Sequence, residues 1–318
     1  MEKSLLSIII PFYKGEYFIN KLLRSIESSY YLEANNIEIE VLIIVDSPQT
    51  KVDELKVLIN SSVSLNFQSI INIYENEINL GVANSRNKGL ACSKGSFITF
   101  IDQDDTVDLS YFEELSNYLN NFEYDMFFFN GYYIHLDSNK KVPLYFKKPT
   151  IKLRSFLSQN QIITPGLVIF NKDFLIENKF LFIDADKSFK GCDDWYLYLD
   201  IINSVNFKYV FLNKHIFNYN FHDSNYSNDI KESTLASIAT INYFKGKSND
   251  KMIKLYCNNI KRLNFEMSLY VDKLGLFNSC LKNPIGFKYY LFSHITNLNR
   301  IISFIYRKII AMPLKMRT

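Results

Sequence analysis

The chain carries the stretch Phe97-Ile98-Thr99-Phe100-Ile101-Asp102-Gln103-Asp104-Asp105, a β-branched and aromatic run that ends in three carboxylates within four positions. Such a run is typical of a buried strand that delivers acidic side chains to the edge of a sheet. Carboxylates this close repel one another unless a divalent cation or a capped helix compensates. The turn therefore predicts either metal binding or a helix capped by Asp105 or Asp108, with Ser110 and Glu113 at capping-box spacing.

Short apolar runs alternate with amphipathic stretches over the first 136 residues, the pattern of βαβ units around a mostly parallel sheet. Helical periodicity marks Tyr17–Ser28 and Gly81–Cys92. Right-handed crossovers would place the strand ends Pro11, Asp46 and Asp102 along one edge, where open α/β sheets bind ligands. The predicted strands of this region are Leu5–Pro11, Glu38–Asp46, Ser69–Glu75, Ser96–Asp102 and Asp125–Leu136.

The pattern becomes less regular after Lys140. We predict a strand at Thr164–Phe170, a helix at Asp194–Asn203, and two further strands at Phe207–Leu212 and His215–His222. After Asn228 the chain is helical in pattern to its end, with breaks at residues 246–249 and 283–284. The expected organisation is an α/β domain over residues 1–228, divided at residue 110, and a helical, basic extension over residues 229–318.

Composition restricts the class of protein. The 318 residues are 47% hydrophobic and include 22 Tyr and 27 Phe, which excludes a disordered or fibrous chain. The four cysteines lie far apart with no C-x-x-C pair, so we expect neither a zinc site nor a disulfide framework, and a reducing compartment fits best. The short apolar stretch Leu5–Ile10 is followed by Pro11 rather than a cleavage site, and no run approaches the roughly 18 residues of a membrane span. A cytoplasmic location follows as an expectation.

The positive charges are concentrated at the C-terminal end. Residues 273–318 contain eight Lys or Arg and no Asp or Glu, so the first 272 residues carry a net charge of −5 within a total of +3. Aromatic and aliphatic residues alternate with these cations in Asn283–Lys315, notably in Ile301–Ile310. The segment predicts a helix at an anionic membrane interface, with a terminal helix docked on the protein or on a partner as the alternative. No known nucleic-acid-binding motif is present, and we expect no nucleic acid partner.

A nucleotide-binding dehydrogenase is excluded by the first turn. Residues 11–15 (Pro-Phe-Tyr-Lys-Gly) lack the G-x-G-x-x-G glycines that allow backbone to approach a pyrophosphate, and the chain has no Walker lysine motif. Phosphates would need another source of positive charge. A divalent ion held by Asp102–Asp105 would supply it.

Four segments together resemble the ordered signature of family 2 inverting glycosyltransferases, which have the GT-A fold, a Rossmann-like α/β sheet. Each segment alone is weak, but their order and spacing over the first 110 residues make the resemblance specific. It continues more loosely through Thr164–Gly166, Gly191–Trp195 and Tyr219–Ser224 and ends near residue 230. The four segments are Ile8–Tyr13, Ile43–Asp46, Asn79–Gly89 and Phe100–Asp105.

The resemblance implies a donor site in residues 1–110. Asp46 would accept a hydrogen bond from the imide of a uracil or thymine, and Arg86 would reach a phosphate as a bidentate donor. The family usually has a second Asp and a Gly after the position of Asp46, whereas Ser47-Pro48-Gln49 follows here, which puts the loop shape and base selectivity in doubt. The implied donor-binding residues are Pro11, Phe12, Tyr13, Glu16, Asp46, Arg86, Asp102, Gln103 and Asp104.

A divalent metal is the implied cofactor. Asp102 would contact ribose or metal, Asp104 would hold Mn²⁺ or Mg²⁺ between the two phosphates, and His222 would complete the site or serve only as a structural residue. The ion would stabilise the charge of the departing diphosphate. Ser224, Asn225 and Ser227 would belong to a loop that closes over the donor.

The implied acceptor site lies in residues 111–228. Asp194 would deprotonate the acceptor hydroxyl, with Asp193 in place of the more usual Glu and available for helix capping. Trp195, the only tryptophan, is an acceptor-sugar platform or a core aromatic. Thr164 and Gly166 would line the sugar pocket, with a plain turn as the alternative.

The predicted activity is transfer of a sugar, with inversion, from a UDP-sugar or a dTDP-sugar to a saccharide or lipid-linked acceptor in bacterial surface-glycan synthesis, on the inner face of the plasma membrane if the basic segment binds there. Two alternatives stay open. A non-catalytic sugar-nucleotide-binding protein would keep the fold, although Asp104 and Asp194 are both present. A sugar-1-phosphate nucleotidyltransferase would need a glycine-rich basic loop after the first strand, which this chain lacks.

Overall fold

The structure is a computed structural model that describes residues 3–33, 37–119, 123–136, 140–158, 160–184, 191–222, 225, 229–247 and 250–296. The predicted closing-loop residues Ser224 and Ser227, and the basic segment beyond residue 296, lie outside these ranges. Contacts divide the chain into two compact units. The sheet unit comprises Met1–Lys148, Ile162–Phe182 and Val205–Phe221, and the helical unit comprises Pro149–Gln161, Ile183–Ser204 and His222–Thr318.

One mixed sheet, of nine strands within the described residues, forms the centre of the sheet unit. Its order is β3-β2-β1-β4-β8-β6-β9-β5, with β7 paired to β6. The strands are β1 (Ser4–Phe12), β2 (Ile37–Val45), β3 (Ile71–Glu75), β4 (Phe97–Phe100), β5 (Thr106–Val107), β6 (Met126–His135), β7 (Lys140–Pro143), β8 (Val168–Asn171) and β9 (Tyr209–Phe221).

The predicted parallel half of the sheet is confirmed. β3, β2, β1 and β4 are parallel neighbours, and β1 lies between β2 and β4. The side chains of Ile8, Ile9 and Ile10 are completely buried, as the unbroken apolar run of a central parallel strand requires. Parallel pairing brings the carboxyl ends of these strands to one edge of the sheet.

Helices flank this sheet. α1 lies beside β5, and α4 packs on β1 and β2. The helices of the sheet unit are α1 (Glu16–Glu33), α2 (Val52–Asn60), α3 (Leu65–Gln68), α4 (Val82–Cys92) and α5 (Tyr111–Ser116), and, C-terminal to β8, a helix at Lys172–Glu177.

The second half of the sheet is mixed. β4 and β6 both pair antiparallel with β8, whereas β6 and β9 are parallel over their whole length. The prediction of two strands at Phe207–Leu212 and His215–His222 was wrong, because β9 is one continuous strand. A β-bulge at residues 213–214 interrupts its register, and this interruption produced the apparent break in the sequence pattern.

The helical unit is built from amphipathic helices. Aromatic side chains join them: Tyr196 lies 5.0 Å from the rings of both Tyr243 and Phe244, and Phe265 lies 5.4 Å from Phe287. A π-helical turn, Met267–Val271, follows the second long helix. The sheet-unit helix Lys172–Glu177 is numbered α7. The helices of the helical unit are α6 (Leu153–Ser158), α8 (Asp193–Ser204), α9 (Ile230–Lys247), α10 (Asp250–Glu266), α11 (Gly275–Lys282) and α12 (Pro284–Thr296).

The predicted C-terminal helical extension is confirmed over its described part, and the predicted break near residue 283 separates α11 from α12. The predicted break at residues 246–249 lies partly outside the described residues, and a break at residues 272–274 was not predicted. Within the described residues, no helix combines the length and apolarity needed to cross a membrane. The fold is thus a mixed, mostly parallel α/β sheet flanked by helices and followed by helices. Each compact unit consists of three separate segments of the chain. The predicted domain boundary at residue 228 stays a prediction.

Candidate active site

Asp46, the residue after β2, is bonded to three N–H groups of the protein. Its Oδ1 accepts hydrogen bonds from Asn76 Nδ2 and Leu80 N, both at 2.8 Å, and its Oδ2 accepts one from Gly81 N at 2.8 Å. Only 4% of Asp46 is exposed. Gly81 has a φ of 85°, in the left-handed region that glycine occupies without strain. Asp46 therefore fixes the loop that leads into α4.

Arg86 projects from α4 to the end of β4. Its Nη2 lies 2.5 Å from Asp102 Oδ1, and its guanidinium lies over the ring of Phe182 at 5.3 Å from the centroid. The Asn87 side chain holds the backbone of Phe182. Its Nδ2 donates to Phe182 O at 2.7 Å, and its Oδ1 accepts from Phe182 N at 3.0 Å. The structure thus brings together two of the predicted donor-binding residues as an ion pair in which Arg86 is buried and Asp102 is partly exposed.

Asp105 does not start the next helix, and that prediction was wrong. Its side chain is buried beside β9, where Oδ1 accepts a hydrogen bond from Asn220 N at 3.0 Å. The acid at the start of α5 is Asp108, whose Oδ1 accepts from Ser110 N at 3.3 Å and from Ser110 Oγ at 3.0 Å, and the capping box does not form. Burial raises the pKa of Asp105 well above its usual value, and the charges of Asp104 and Asp102 raise it further.

Asp104 is held by its backbone. Asn220 Nδ2 donates to the carbonyl oxygen of Asp104 at 2.8 Å, and Asn220 is 1% exposed. Because the backbone N–H of Asn220 also donates to Asp105 Oδ1, this one residue of β9 holds the acidic turn at two points. The carboxylates of Asp102 and Asp104 are left partly exposed at the edge of the sheet.

Tyr13 is the most exposed of the three predicted donor-binding residues at the end of β1. Pro11 and Phe12 are buried in the strand, whereas 44% of Tyr13 is exposed. Phe12 contributes its carbonyl oxygen, which accepts from Asp46 N at 2.8 Å. Glu16 is the first residue of α1, and its Oε1 lies 3.5 Å from Thr50 Oγ1. Gln103 reaches across to Tyr13, whose backbone it contacts twice.

Thr164 and Gly166 form a buried turn before β8. Thr164 begins a 3₁₀ turn, Pro165–Leu167, so the predicted strand begins only at Val168. A Cβ atom on Gly166 would lie 2.3 Å from the ring of Phe217, so this position has room only for glycine. The Thr164 side chain also interacts with Asp105.

Asp193 and Asp194 open α8 in the helical unit, as predicted. Asp193 is 4% exposed, while Asp194 is partly exposed. Asp194 Oδ2 accepts a hydrogen bond from Asn160 Nδ2 at 3.0 Å, and its Oδ1 lies 2.7 Å from Trp195 N. Negative charge at a helix N-terminus is stabilised by the helix dipole. Asp194 is therefore an oriented carboxylate that keeps access to solvent.

Cys192, the residue before this pair, is partly buried and has a left-handed backbone conformation with a φ of 63°. Its Sγ lies 3.4 Å from Ser237 Oγ, and burial raises the pKa of the thiol to about 12. The thiol is therefore neutral at physiological pH and packs against α9.

Trp195 is a core residue of the helical unit. It is 4% exposed, and its Nε1 donates to the carbonyl oxygen of Phe156 at 2.9 Å. Of the two interpretations of this tryptophan, burial favours the core aromatic. Its position as an acceptor-sugar platform has no support from its exposure.

His222 follows β9 and belongs to the helical unit, where its backbone N–H donates to Asn225 Oδ1 at 2.5 Å. Within the residues described, no three His, Cys, Asp or Glu side chains converge as a metal site. Magnesium in nucleotide sites is commonly held by one or two carboxylates together with substrate phosphates and water. The hard oxygen ligands of Asp102 and Asp104 fit that type of site.

Sequence reasoning missed three residues that shape the site: Asn76, Phe182 and Asn220. Each meets its partner across a long separation in sequence, 30 residues for Asn76 with Asp46 and 115 for Asn220 with Asp105. Asn220 lies within Tyr219–Ser224, a segment of the family resemblance, but had no predicted role. No local pattern marked the other two.

Comparison with known proteins agrees with the fold. In solved structures, the chain resembles residues 1–349 of Staphylococcus aureus TarS in complex with UDP-GlcNAc, with a TM-score of 0.59 and 16% identity over 85% of this chain and 73% of that one. The same region in complex with UDP gives a TM-score of 0.54. The likeness identifies the architecture as the GT-A fold of glycosyltransferases.

Sequence relatives lead to the same class. An uncharacterized glycosyltransferase of Methanocaldococcus jannaschii is 26% identical over 82% of this chain and 84% of its own length. An Escherichia coli UDP-Glc:α-D-GlcNAc-diphosphoundecaprenol β-1,3-glucosyltransferase is 28% identical over 65% of this chain and 73% of its own length. An uncharacterized Haemophilus influenzae glycosyltransferase is 32% identical over 37% of this chain, and the match spans 44% of that relative.

The family model for glycosyl transferase family 2 matches residues 7–178, more than half of the chain. The protein therefore belongs to glycosyl transferase family 2 and is a glycosyltransferase.

Proposed function

We propose that this protein transfers a sugar from a nucleoside diphosphate donor, a UDP-sugar in preference to a dTDP-sugar, to a saccharide or lipid-linked saccharide with inversion at the anomeric carbon. One observation carries the proposal: Arg86, Asp102, Gln103 and Tyr13 are joined by direct contacts at the carboxyl edge of the parallel strands. The guanidinium of Arg86 suits a phosphate, and the exposed ring of Tyr13 suits the nucleoside. The carboxylates of Asp102 and Asp104 suit a metal ion bound to the phosphates. The names of the relatives with UDP-glucose and UDP-GlcNAc support the choice of uridine.

The donor would be held by its two ends. Arg86 would donate to a phosphate, since a guanidinium pairs with phosphate oxygens in bidentate geometry. Tyr13 would lie against the nucleoside. Asp46 would act mainly by holding the loop before α4, and its second role would be to accept a hydrogen bond from the imide of the base. Pro11, Phe12 and Glu16 would shape the wall of this site.

Divalent metal ions are in general use among enzymes of this family. Asp104 and Asp102 would hold Mn²⁺ or Mg²⁺, and the bound ion would supply Lewis-acid stabilisation of the leaving diphosphate. We expect UDP to bind tightly with Mn²⁺ and at least about tenfold more weakly after chelation by EDTA, because without the ion the negatively charged phosphates lie next to negatively charged carboxylates.

Isothermal titration of the full chain with UDP, with and without Mn²⁺, measures this difference. UDP affinity that is unchanged by EDTA would contradict the metal proposal. A protein that binds neither UDP nor dTDP under any of these conditions would contradict the proposed donor class.

Asp194 would be the general base. As the acceptor oxygen forms its bond to the anomeric carbon and the bond to the diphosphate breaks, the acceptor hydroxyl proton would pass to the Asp194 carboxylate. Asp193 would stabilise the start of α8 beside this base, and Thr164 and Gly166 would line the sugar pocket within the sheet unit.

Asp194→Asn should lower kcat by at least about a hundredfold, because an amide cannot accept the proton, and should leave the Kd for UDP unchanged. Asp200→Asn, on the same helix, removes the same charge and should retain activity. Transfer at the wild-type rate by Asp194→Asn would move the role to Asp193.

The acceptor would be at a membrane surface. α11 exposes Leu276, Phe277 and Leu281 by 54%, 75% and 67%, within the segment that has cations and no acids. Exposed apolar side chains next to positive charge suit the interface of an anionic bilayer. A lipid-linked acceptor on the inner face of the plasma membrane would then be within reach of the enzyme.

A further inference from the structure

Gln103 makes two reciprocal hydrogen bonds with the backbone of Tyr13. Tyr13 N donates to Gln103 Oε1 at 2.9 Å, and Gln103 Nε2 donates to Tyr13 O at 3.0 Å. The amide therefore pairs with a residue 90 positions earlier in the way that one strand pairs with another. Both polar ends of the side chain are used within the protein.

Gly15 makes room for this amide. A Cβ atom on Gly15 would lie 2.1 Å from Gln103 Oε1, 2.3 Å from Cδ and 2.7 Å from Nε2. Gly15 O also accepts the first hydrogen bonds of α1, from Phe18 N at 2.9 Å and Ile19 N at 3.0 Å. The link between β1 and α1 is therefore fitted to the amide of Gln103.

The link is exposed at two of its residues and has an unusual backbone conformation. Lys14, between Tyr13 and Gly15, has a φ of 50°, which a residue with a side chain seldom adopts. Tyr13 and Lys14 are both exposed. An ordered but exposed link in an unusual conformation needs a specific tie, and Gln103 provides one.

Gln103 is also part of the acidic turn, between Asp102 and Asp104. The amide thus connects the turn that carries the carboxylates with the link that carries the exposed ring of Tyr13. Glutamine suits the task, since one side chain must offer both a donor and an acceptor, and asparagine has the same groups on a shorter stem.

We propose that Gln103 is a positioning residue that couples the nucleoside end of the donor site to its diphosphate end through Tyr13, without contacting the donor itself. The inference rests on the proposed function, because it assigns Tyr13 and the acidic turn to one ligand. With the tie in place, binding does not have to order the link, so a ligand that touches both ends gains affinity.

Two substitutions remove the tie by different routes. Gln103→Leu keeps the approximate volume and removes both hydrogen bonds, whereas Gly15→Ala leaves Gln103 in the sequence and displaces its amide. Gln68→Leu is the matched control, because Gln68 Nε2 also donates to backbone carbonyls, Asn60 O at 3.0 Å and Val63 O at 2.9 Å, away from the site.

UDP titrations with Mn²⁺ test the coupling in the full chain. We expect Gln103→Leu and Gly15→Ala each to raise the Kd for UDP about tenfold, the size expected for two lost hydrogen bonds. The double variant should be no weaker than either single one, since both act through the same amide. Gln68→Leu should bind UDP as the wild type does.

Hydrogen exchange of the ligand-free protein gives a second readout. The Tyr13 amide should exchange faster in Gln103→Leu and Gly15→Ala than in the wild type or in Gln68→Leu. Wild-type affinity for UDP in both site variants, or additive losses in the double variant, would overturn the inference while leaving the proposed function intact. A wild-type protein that binds no nucleoside diphosphate would overturn both.

Discussion

At the scale of single residues, the acids of this chain do different work according to their partners. Asp105, Asp102 and Asp46 all follow apolar strands, yet Asp105 binds a backbone N–H of β9, Asp102 pairs with Arg86, and Asp46 holds a loop. Burial and available N–H groups decide between these roles. Asp104, whose backbone alone is fixed by Asn220, keeps its carboxylate at the sheet edge.

Asp46→Asn tests the role of Asp46 in the loop. The amide would turn an N–H₂ group toward protein N–H groups that now meet an oxygen, so we expect the free energy of unfolding to fall by about 1–3 kcal/mol. Urea denaturation followed by circular dichroism measures the change. Asp53→Asn is the control, because the Asp53 side chain is 97% exposed and should contribute little. Wild-type stability in Asp46→Asn would show that the three hydrogen bonds do not hold the loop.

At the scale of elements, local pattern predicted the strands better than their partners. The apolar runs of β1, β2 and β4 and the periodicity of α4 identified these elements, because burial on both faces or on one face leaves a direct trace in sequence. The single strand β9 was predicted as two, since the bulge at residues 213–214 breaks the alternation without ending the pairing.

The bulge depends on Asn130, a completely buried residue of β6. Asn130 Nδ2 donates to Tyr145 O at 2.8 Å and to Asn213 Oδ1 at 2.9 Å, and its Oδ1 accepts from Gly131 N at 2.9 Å and Tyr145 N at 3.0 Å. One side chain thus satisfies the polar groups that the shifted register leaves over. No signal in the sequence separates this asparagine from those in exposed turns.

Asn130→Ala should lower the free energy of unfolding by at least about 2 kcal/mol, because it leaves several buried polar groups without partners. Asn178→Ala removes a similar side chain from the exposed end of α7 and should cost about 0.5 kcal/mol or less. Urea denaturation of both variants beside the wild type measures the difference. Equal stabilities of the two variants would contradict the role of Asn130.

At the scale of the whole molecule, the sequence predicted the family and the fold, because the strand-end motifs are local, and the site residues that it named stay predictions. It did not predict the ties between distant segments, such as Gln103 with Tyr13 or Asn220 with the acidic turn, which depend on three-dimensional packing. The charge asymmetry of the chain was visible in sequence and leads to a prediction for its C-terminal segment.

The C-terminal segment should bind anionic membranes. We expect the full chain to sediment with vesicles of phosphatidylglycerol and phosphatidylcholine and to stay in solution with phosphatidylcholine alone, since each cation near an anionic surface adds about 1 kcal/mol. Replacement of Arg300, Arg307, Lys308 and Lys315 by Gln should abolish the binding without removing α12, which packs on α10. Equal sedimentation of the wild type and this variant, or of a chain truncated before residue 284, would favour the docked-helix alternative.

The stereochemistry of the product is the most direct test of inverting sugar transfer from a UDP-sugar. Incubation of the full chain with α-linked UDP-sugars, Mn²⁺ and a panel of saccharide acceptors, followed by proton NMR of the product, reports both release of UDP and the configuration of the new bond. We expect UDP release and a β-linked product, as in-line attack on the face opposite the diphosphate requires. An α-linked product would contradict the proposed inverting mechanism.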